Sequence, residues 1–380
     1  MSSGITITST KLTDAEAAIK EISEQLDLNS NVFVMLFFSI SYNRNSLGQA
    51  IKNTLSCIEV IGCSTSGEIG LNGYDEKSIT AIAFSKEYFK ISSLIYPSIS
   101  KMELNVWHEK TQRLYRNHND LYNVRNSGEL FSLLLIDGVS CCEEPFVRTV
   151  SNAISNVPLV GGSAGDNLHF VATYLYYKGQ MHVDCAALML VSTTLPFNIL
   201  KSQHIYSTSK RMIVTDAIPK DRIVTELNGF PAAEEYARML GLSSPEELTE
   251  ALIASHPTVV VIGKDEFVRS IKCVNDDGSL TFYCAIDVGI VLRIAQGNDL
   301  HDSMKASIES IENDMGAIQG LLTFDCILRR LELKETENLS KVSNLLVKHN
   351  AAGFSTYGEQ INGLHVNQTC TGIAIGFSNE

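Results

Sequence analysis

The chain has 380 residues, 30 basic against 43 acidic side chains, a formal net charge of −13, and is 44% hydrophobic and 19% charged. That length predicts two domains, each large enough to bury a core of its own, and the apolar share is too high for a disordered chain. The acidic balance, with no basic run to offset it, argues against a nucleic-acid binder, whose phosphate affinity rests on clustered Lys and Arg.

The N-terminus MSSGITITSTKLTDAE has neither the basic region nor the apolar stretch of a secretory signal. The longest apolar run, Val32 to Ile40, is about half the roughly 20 residues that span a bilayer. Nine cysteines without any C-x-x-C fit reduced thiols in a cytosol, and argue against a zinc or iron–sulfur site. The expectation is a soluble cytoplasmic protein with no membrane association.

In chain order, Thr13-Asp14 caps a helix through Leu26, and VFVMLFF (32–38) reads as a strand buried on both faces. A helix over about Asn45–Leu55 and a second buried strand, IEVIGCS (58–64), complete a strand–helix–strand unit with a parallel pair. The unit recurs twice. LFSLLLID (130–137) leads through a helix from Glu143 to VPLVGGSAGD (157–166), and LLTFDC (321–326) leads through a helix at about Glu335–His349 to AAGFSTYGEQ (351–360). Each ends on glycine, a small hydroxyl residue, glycine and an acid: GCSTSGE, GGSAGD and GFSTYGE. The fold class is therefore α/β with repeated strand–helix–strand units and mixed sheets.

Between the second and third units, 172–179, 182–192, 197–207, 211–218 and 222–229 read as consecutive antiparallel strands. PAAEEYARMLG (231–241) and SSPEELTEALIASHP (243–257) read as helices. A domain change is expected near 220–230.

GGSAG (161–165) matches the G-x-S-x-G nucleophile elbow, but an elbow opens into a helix and DNLHFVATYLYY reads extended, so a structural turn is the better reading. Asp137, Asp166, Asp325 and Glu359 lie at strand ends, where open α/β sheets place ligands. Arg329-Arg330 is suited to a carboxylate or to a surface or inter-domain ion pair. Of the nine histidines none shows H-x-x-x-H spacing, and His108 and His118 read as solvated on a charged helix. His204 has the most informative setting: alternation puts Leu200, Ser202, His204 and Tyr206 on one strand face, where a neutral imidazole is either a satisfied strand histidine or an axial haem ligand.

VIGCSTSGEI, PLVGGSAGD, RIVTELNGFPAAEEYARMLG, FDCILRR and GFSTYGEQINGLHVNQTCTGIA together resemble the FIST sensory proteins, with FIST N and FIST C parts. The resemblance implies an N-terminal helical region at 1–29, a FIST N domain at 30–221 and a FIST C domain at 222–380. KSQHIYST and ELNGFPAAEEYA look like the haem-binding, nitric-oxide-sensing branch. That branch implies a non-catalytic sensor holding haem b on His204, with Leu200 and Tyr206 beside it and His182 in reserve. It implies nitric oxide as signal and a separate histidine kinase as partner, in two-component, cyclic-di-GMP and biofilm signalling, and leaves a homodimer open. The alternative within the family is a small metabolite such as an amino acid, held without haem by Asp166, Tyr357, Gly358 and Glu359.

Overall fold

The computed structural model describes residues 4–124 and 129–378. The first repeat runs β1 (Ile5–Thr10), α1 (Ala15–Gln25), β2 (Asn31–Ser39), α2 (Arg44–Thr54), β3 (Glu59–Thr65), the hairpin β4 (Glu68–Gly70) and β5 (Gly73–Asp75), then β6 (Ile79–Ser85). The second runs β7 (Phe89–Pro97), α3 (Leu104–Tyr122), β8 (Leu130–Ile136), α4 (Glu143–Ala153), β9 (Leu159–Ser163), the hairpin β10 (Leu175–Tyr177) and β11 (Gln180–His182), then β12 (Cys185–Thr193).

The third repeat opens with β13 (Phe197–Gln203) and is interrupted. The interrupting segment holds β14 (Ile205–Ile218), β15 (Ile223–Leu227), β16 (Phe230–Pro231), α5 (Ala232–Leu240), α6 (Glu250–Ser255), β17 (Thr258–Ile262), β18 (Asp265–Arg269), β19 (Ile271–Val274), β20 (Leu280–Phe282) and β21 (Val291–Gly297). The repeat then resumes with α7 (Leu300–Met315), β22 (Ile318–Cys326), α8 (Ile327–Glu335), α9 (Leu339–Lys348), β23 (Ala351–Thr356), the hairpin β24 (Glu359–Ile361) and β25 (Leu364–Val366), and β26 (Thr369–Gly376).

Each repeat supplies most of one sheet. The strand orders are β1-β6-β2-β3-β10-β11, β7-β12-β8-β9-β24-β25 and β13-β26-β22-β23-β4-β5. Each has a parallel pair at its centre, β2/β3, β8/β9 or β22/β23. In every sheet the last two strands are a hairpin borrowed from another repeat: the second gives its hairpin to the first sheet, the third to the second, and the first to the third. Central strands are buried along nearly their whole length and mostly apolar because both faces are covered. Val34, Leu36 and Phe38 pack under α1 and α2, in one cluster with Ile19, Ile22, Leu47 and Ile51. Phe37, on the other face of β2, meets Phe354 of β23 with ring centroids 5.0 Å apart. Helix α1 starts where Asp14 accepts the Ala17 N–H at 2.9 Å, and α2 where Asn43 accepts from Asn45 and Ser46.

The chain forms two compact units, Met1–Lys201 with Lys305–Leu364 and Cys370–Glu380, and Ser202–Met304 with His365–Thr369. A division at 221/222 coincides with neither unit's limits. In the second unit, Met212, Val214, Val224, Tyr236, Phe282, Leu292 and Ile294 form the main apolar cluster. No helix among the described residues is long and apolar enough to cross a membrane.

The α/β repeats match expectation, but several details are corrected. Residues 172–229 are not one antiparallel run: β12 lies between β8 and β7, β13 beside β26, and β14 between β21 and β15. The stretch 197–207 is two strands broken at His204. Residues 243–257 hold a 3-10 turn at Pro245–Glu247 and the short helix α6, and α8 forms over ILRRLELKE, which the periodicity did not single out. His118 is buried, its ring nitrogens 2.9 Å from Ser92 Oγ and 3.2 Å from Ser192 Oγ, and burial pushes its pKa down to about 4.

Gly62, Gly161 and Gly353 occupy one position in the three sheets, paired with Leu36, Leu134 and Thr323. At each, an added Cβ would fall onto the carbonyl oxygen of that partner residue. Replacing any one with Ala is expected to lower stability by about 2–3 kcal/mol, read as a drop in the urea midpoint at unchanged m-value; an unmoved midpoint would show that these strands part at no cost.

Candidate functional site

The three glycine–serine loops close into a ring. By strand register Ser64, Ser163 and Ser355 are equivalent, opposite Phe38, Ile136 and Asp325. The amide of Gly165 donates to Ser64 O at 3.0 Å, that of Ser66 to Ser355 O at 3.2 Å, and that of Tyr357 to Ser163 O at 3.1 Å. In return the Ser64 amide donates to Tyr174 O, Ser163 to Gly358 O and Ser355 to Gly67 O, at 2.7–2.8 Å. Each junction thus carries the same two backbone bonds, and all three serines are fully buried.

The register also corrects how the acids align. Glu68 and Glu359 are equivalent: each opens a hairpin and accepts the hydroxyl of the threonine three residues earlier, Thr65 or Thr356. The second loop carries Leu175 at that place, and Asp166 belongs to an insertion, residues 166–173, between Gly165 and Tyr174. In the other two loops a single glycine, Gly67 or Gly358, makes the same link.

The insertion is folded over Tyr357. Asp166 accepts the amides of Phe170 at 2.8 Å, Val171 at 2.7 Å and Ala172 at 3.0 Å, together with the Tyr357 hydroxyl. The same hydroxyl accepts the Leu168 amide at 2.7 Å, and Phe170 stacks on the Tyr357 ring at 4.5 Å between centroids. The Asn167 amide donates to Ser66 Oγ at 3.1 Å. Asn167, Leu168 and Phe170 all have positive φ, at 57°, 66° and 53°. Non-glycine residues rarely sit there, and such strain is held only where surrounding contacts over-determine it. Gly165 has to be glycine, since a Cβ would run into Ser66.

Burial alone would raise the Asp166 pKa, but the Tyr357 hydroxyl and the three amides outweigh it and hold the carboxylate below its ordinary range. Tyr357 shifts up, through burial first and the Asp166 carboxylate second. Glu68 behaves in the opposite way. Burial pushes it up to about 7 against hydrogen bonds from Thr65 and Ser78 and the field of Arg330.

Arg329 and Arg330 are buried and not on the surface, while the Arg330–Glu76 pair at 3.0 Å does join residues on the two sides of the expected 221/222 division. Arg329 Nε lies 2.6 Å from Asp325 Oδ1, and the Tyr74 hydroxyl donates to the other oxygen of that carboxylate. Arg330 donates to Ser66 O at 3.0 Å, Asp75 O at 2.9 Å and Glu76 Oε1 at 3.0 Å. Its guanidinium occupies the space a Cβ on Gly67 would need. Asp137 is an internal anchor, accepting from Thr173 Oγ1, the Val139 amide and the Asp184 amide.

Of the expected small-ligand residues, the structure brings Asp166 and Tyr357 together, uses Gly358 as the backbone acceptor for Ser163, and places Glu359 at the start of β24. The expected haem residues are spread differently. Leu200 and His204 are buried, whereas Tyr206 is 46% exposed, because the chain leaves the extended form at His204 and the alternation resets. His204 Nε2 is 3.8 Å from where a Cβ on Gly297 of β21 would lie, and the ring has no exposed surface. His182 is half-buried at the end of β11, paired with Leu175. Sequence reasoning did not single out Ser66 or Ser355; the third S/T-rich copy of the glycine loop, laid on the register, would have pointed to both. Ser163 is on no strand-to-helix turn, as the extended reading of its successors implied.

Removing the Tyr357 hydroxyl (Tyr357→Phe) is expected to cost about 1–3 kcal/mol and to speed amide exchange at Phe170–Ala172 relative to β8; equal protection in both proteins would mean that the hydroxyl does not hold the insertion. For Glu68 the folded pKa lies above the unfolded one. The stabilisation is therefore whole below the ordinary pKa of 4.5 and is lost as pH rises to about 7, by on the order of 3 kcal/mol. Glu68→Gln is expected to flatten that fall, measured by urea unfolding at about pH 5 and about pH 7.5.

The FIST N domain family matches residues 32–229 and the FIST C domain family residues 232–362. An uncharacterized protein of Methanocaldococcus jannaschii is 25% identical over 225 residues, which is 58% of this chain and 43% of that protein, so the chain matches less than half the relative's length. Among solved structures, a cyanuric acid hydrolase from A. caulinodans aligns over 99% of both chains at 8% identity and a TM-score of 0.38. That protein is a hydrolase, against the expectation of a non-catalytic chain, but a likeness at this TM-score carries no argument about activity here. With both parts matched in order along the chain, the protein belongs to the FIST family.

Proposed function

We propose that the protein is a sensory module that takes up a small polar metabolite, of the amino-acid class, at the centre of the loop ring, and reports occupancy to a separate signalling partner through residues 166–173. The observation that carries this reading is the break in the ring's three-fold pattern. Two loops pass the centre with one glycine. The third inserts a strained segment, clasped by Asp166 and Tyr357, over the same point. A ligand that competes for the Tyr357 hydroxyl or the Ser66 hydroxyl would release the clasp, giving two states with a built-in difference in contacts. Leu168 and Val171, 37% and 79% exposed, would carry that difference to the surface. Membership in a sensory family supports the same direction, and a histidine kinase acting in trans fits the role of partner.

The haem reading stands second. It is supported by His204, a fully buried imidazole next to Ile205, which belongs to a small apolar cluster with Val259, Val268 and Ala295. A single neutral histidine in such a setting is the donor a b-type haem takes, leaving the opposite face for nitric oxide. The ring has no free face as it stands, so that reading requires the His204 break to open. A Soret band lost on His204→Ala would support it.

The test of the main reading is the thermal midpoint of the full chain against a panel of amino acids and small polar metabolites. At least one is expected to raise it in a concentration-dependent way, and Asp166→Asn to weaken that response. A panel without effect on the wild-type midpoint would remove the reading.

A further inference from the structure

The ring's symmetry extends to its serine hydroxyls and fails at one of them. Ser64 Oγ donates to Gly165 O at 2.8 Å and accepts the Tyr174 amide at 3.0 Å. Ser163 Oγ accepts from Gln360 Nε2 at 2.9 Å. Ser355 Oγ, fully buried, has no hydrogen-bond partner among the described residues. The cause is visible in the register. By the pattern of the first loop, Ser355 Oγ should donate to Ser66 O, the residue that pairs with it across the junction. That carbonyl is taken by the Arg330 guanidinium at 3.0 Å. Arg330, 2% exposed, in turn has a buried Nε without an acceptor.

Both residues thus border Ser66, Arg330 through Nη1 on its carbonyl and Ser355 through the Ser66 amide on its own carbonyl, and each keeps one buried donor without an acceptor among the described residues. Buried donors left unmade are costly, and native proteins resolve them with water or a ligand. Charge selects among ligands. Arg329 is matched by Asp325, but among the described residues Arg330 is ion-paired only with Glu76, whose side chain is 54% exposed and is shared with Lys334 at 2.7 Å. Glu68, the other carboxyl that feels Arg330, is driven toward its neutral form by burial. The local balance is positive, and it opens toward solvent on the Glu76 side.

We propose that Ser355 Oγ and Arg330 Nε form a seat for one anionic oxygen group, a carboxylate or a phosphate, of a small ligand. The Arg330 N–H supplies a charge-assisted hydrogen bond and the Ser355 hydroxyl a second donor. This rests on the small-metabolite reading above and names the group by which the ligand is anchored: the acid end at Arg330 and Ser355, with the remainder directed to the Tyr357–Asp166 clasp.

The experiment measures thermal midpoints of the full chain with the same panel plus succinate, inorganic phosphate and the neutral analogue succinamide, at ionic strength held by potassium chloride. Succinate or phosphate, or a carboxylate-bearing panel member, is expected to stabilise the wild type, and succinamide not to. The contrast of the first two tells carboxylate from phosphate. Ser355→Ala removes only an unpartnered hydroxyl, so its unliganded midpoint should stay or rise, while its half-saturating concentration for the anion should rise at least tenfold. Arg330→Lys, which keeps the charge but has no Nε, should weaken binding in the same direction. Equal response to succinamide, or an unchanged response in Ser355→Ala, overturns the seat while leaving the sensor reading intact. No stabilisation by any compound overturns both.

Discussion

The first compact unit depends on three junctions made of backbone hydrogen bonds between serine loops. The two bonds common to all three run from main chain to main chain, so they tolerate different residues at the centre, but they impose a strict geometry on what flanks them. The second strand of each parallel pair must deliver its serine to the same depth. The glycine two residues earlier, Gly62, Gly161 or Gly353, lets that strand press against the carbonyl of its neighbour. The residue after the loop must turn away at once into a hairpin that pairs with a different sheet. Since each hairpin completes another repeat's sheet, no repeat satisfies its own edge strand. The exchange of hairpins and the ring of loops are one constraint seen at two scales.

Symmetry of this kind makes departures informative. The central position two residues after each serine is Ser66, Gly165 or Tyr357, and the three differ in the way the site requires: the glycine makes room, the serine accepts the inserted loop, and the tyrosine bonds to it. Arg330 is a second departure. Its equivalent acceptor in the first loop serves a serine hydroxyl, and here a buried cation has taken it. The third is the segment between β13 and α7, which interrupts the last repeat and makes up most of the separate compact unit Ser202–Met304.

Much of the ring was legible in the sequence, because three strand–helix–strand units ending in similar glycine–serine words must bring those words to equivalent ends of equivalent strands. What was not legible is what depends on distant pairing. The hairpin exchange has no local signature: LYY at 175–177 reads as a strand, and nothing in it says that its partner is β3 rather than β9. The acid of GGSAGD was aligned with those of GCSTSGE and GFSTYGE by letter, whereas the backbone places Asp166 in an insertion. His118 lies in a helix rich in charge, yet it faces Ser92 and Ser192 of the strands beneath. At 197–207 the alternation is real on either side of His204, but one residue out of the extended form reverses the face of everything after it. ILRRLELKE carries two arginines on its first turn, and a surface reading of arginine hides a helix whose start is buried by an ion pair.

The charges inside the unit follow a rule that the overall −13 does not suggest. A buried carboxylate costs several kcal/mol unless it is paired or richly hydrogen-bonded, and four in this unit meet that requirement differently. Asp325 is paired with Arg329, Asp166 collects three amides and a phenol, and Asp137 collects two amides and a hydroxyl. Glu68 has hydroxyl and amide donors and the field of Arg330, yet burial still wins and drives it toward the neutral acid. Arg330 therefore stands as the buried charge whose nearest formal counter-charge lies in solvent. Arg330, on the Ser66 carbonyl of the ring, is a buried cation in a chain whose formal net charge is −13. A net negative charge around a positive interior point repels small anions at long range and holds them at short range. At physiological salt the first effect is screened within about 8 Å, whereas the second, being desolvated, is not.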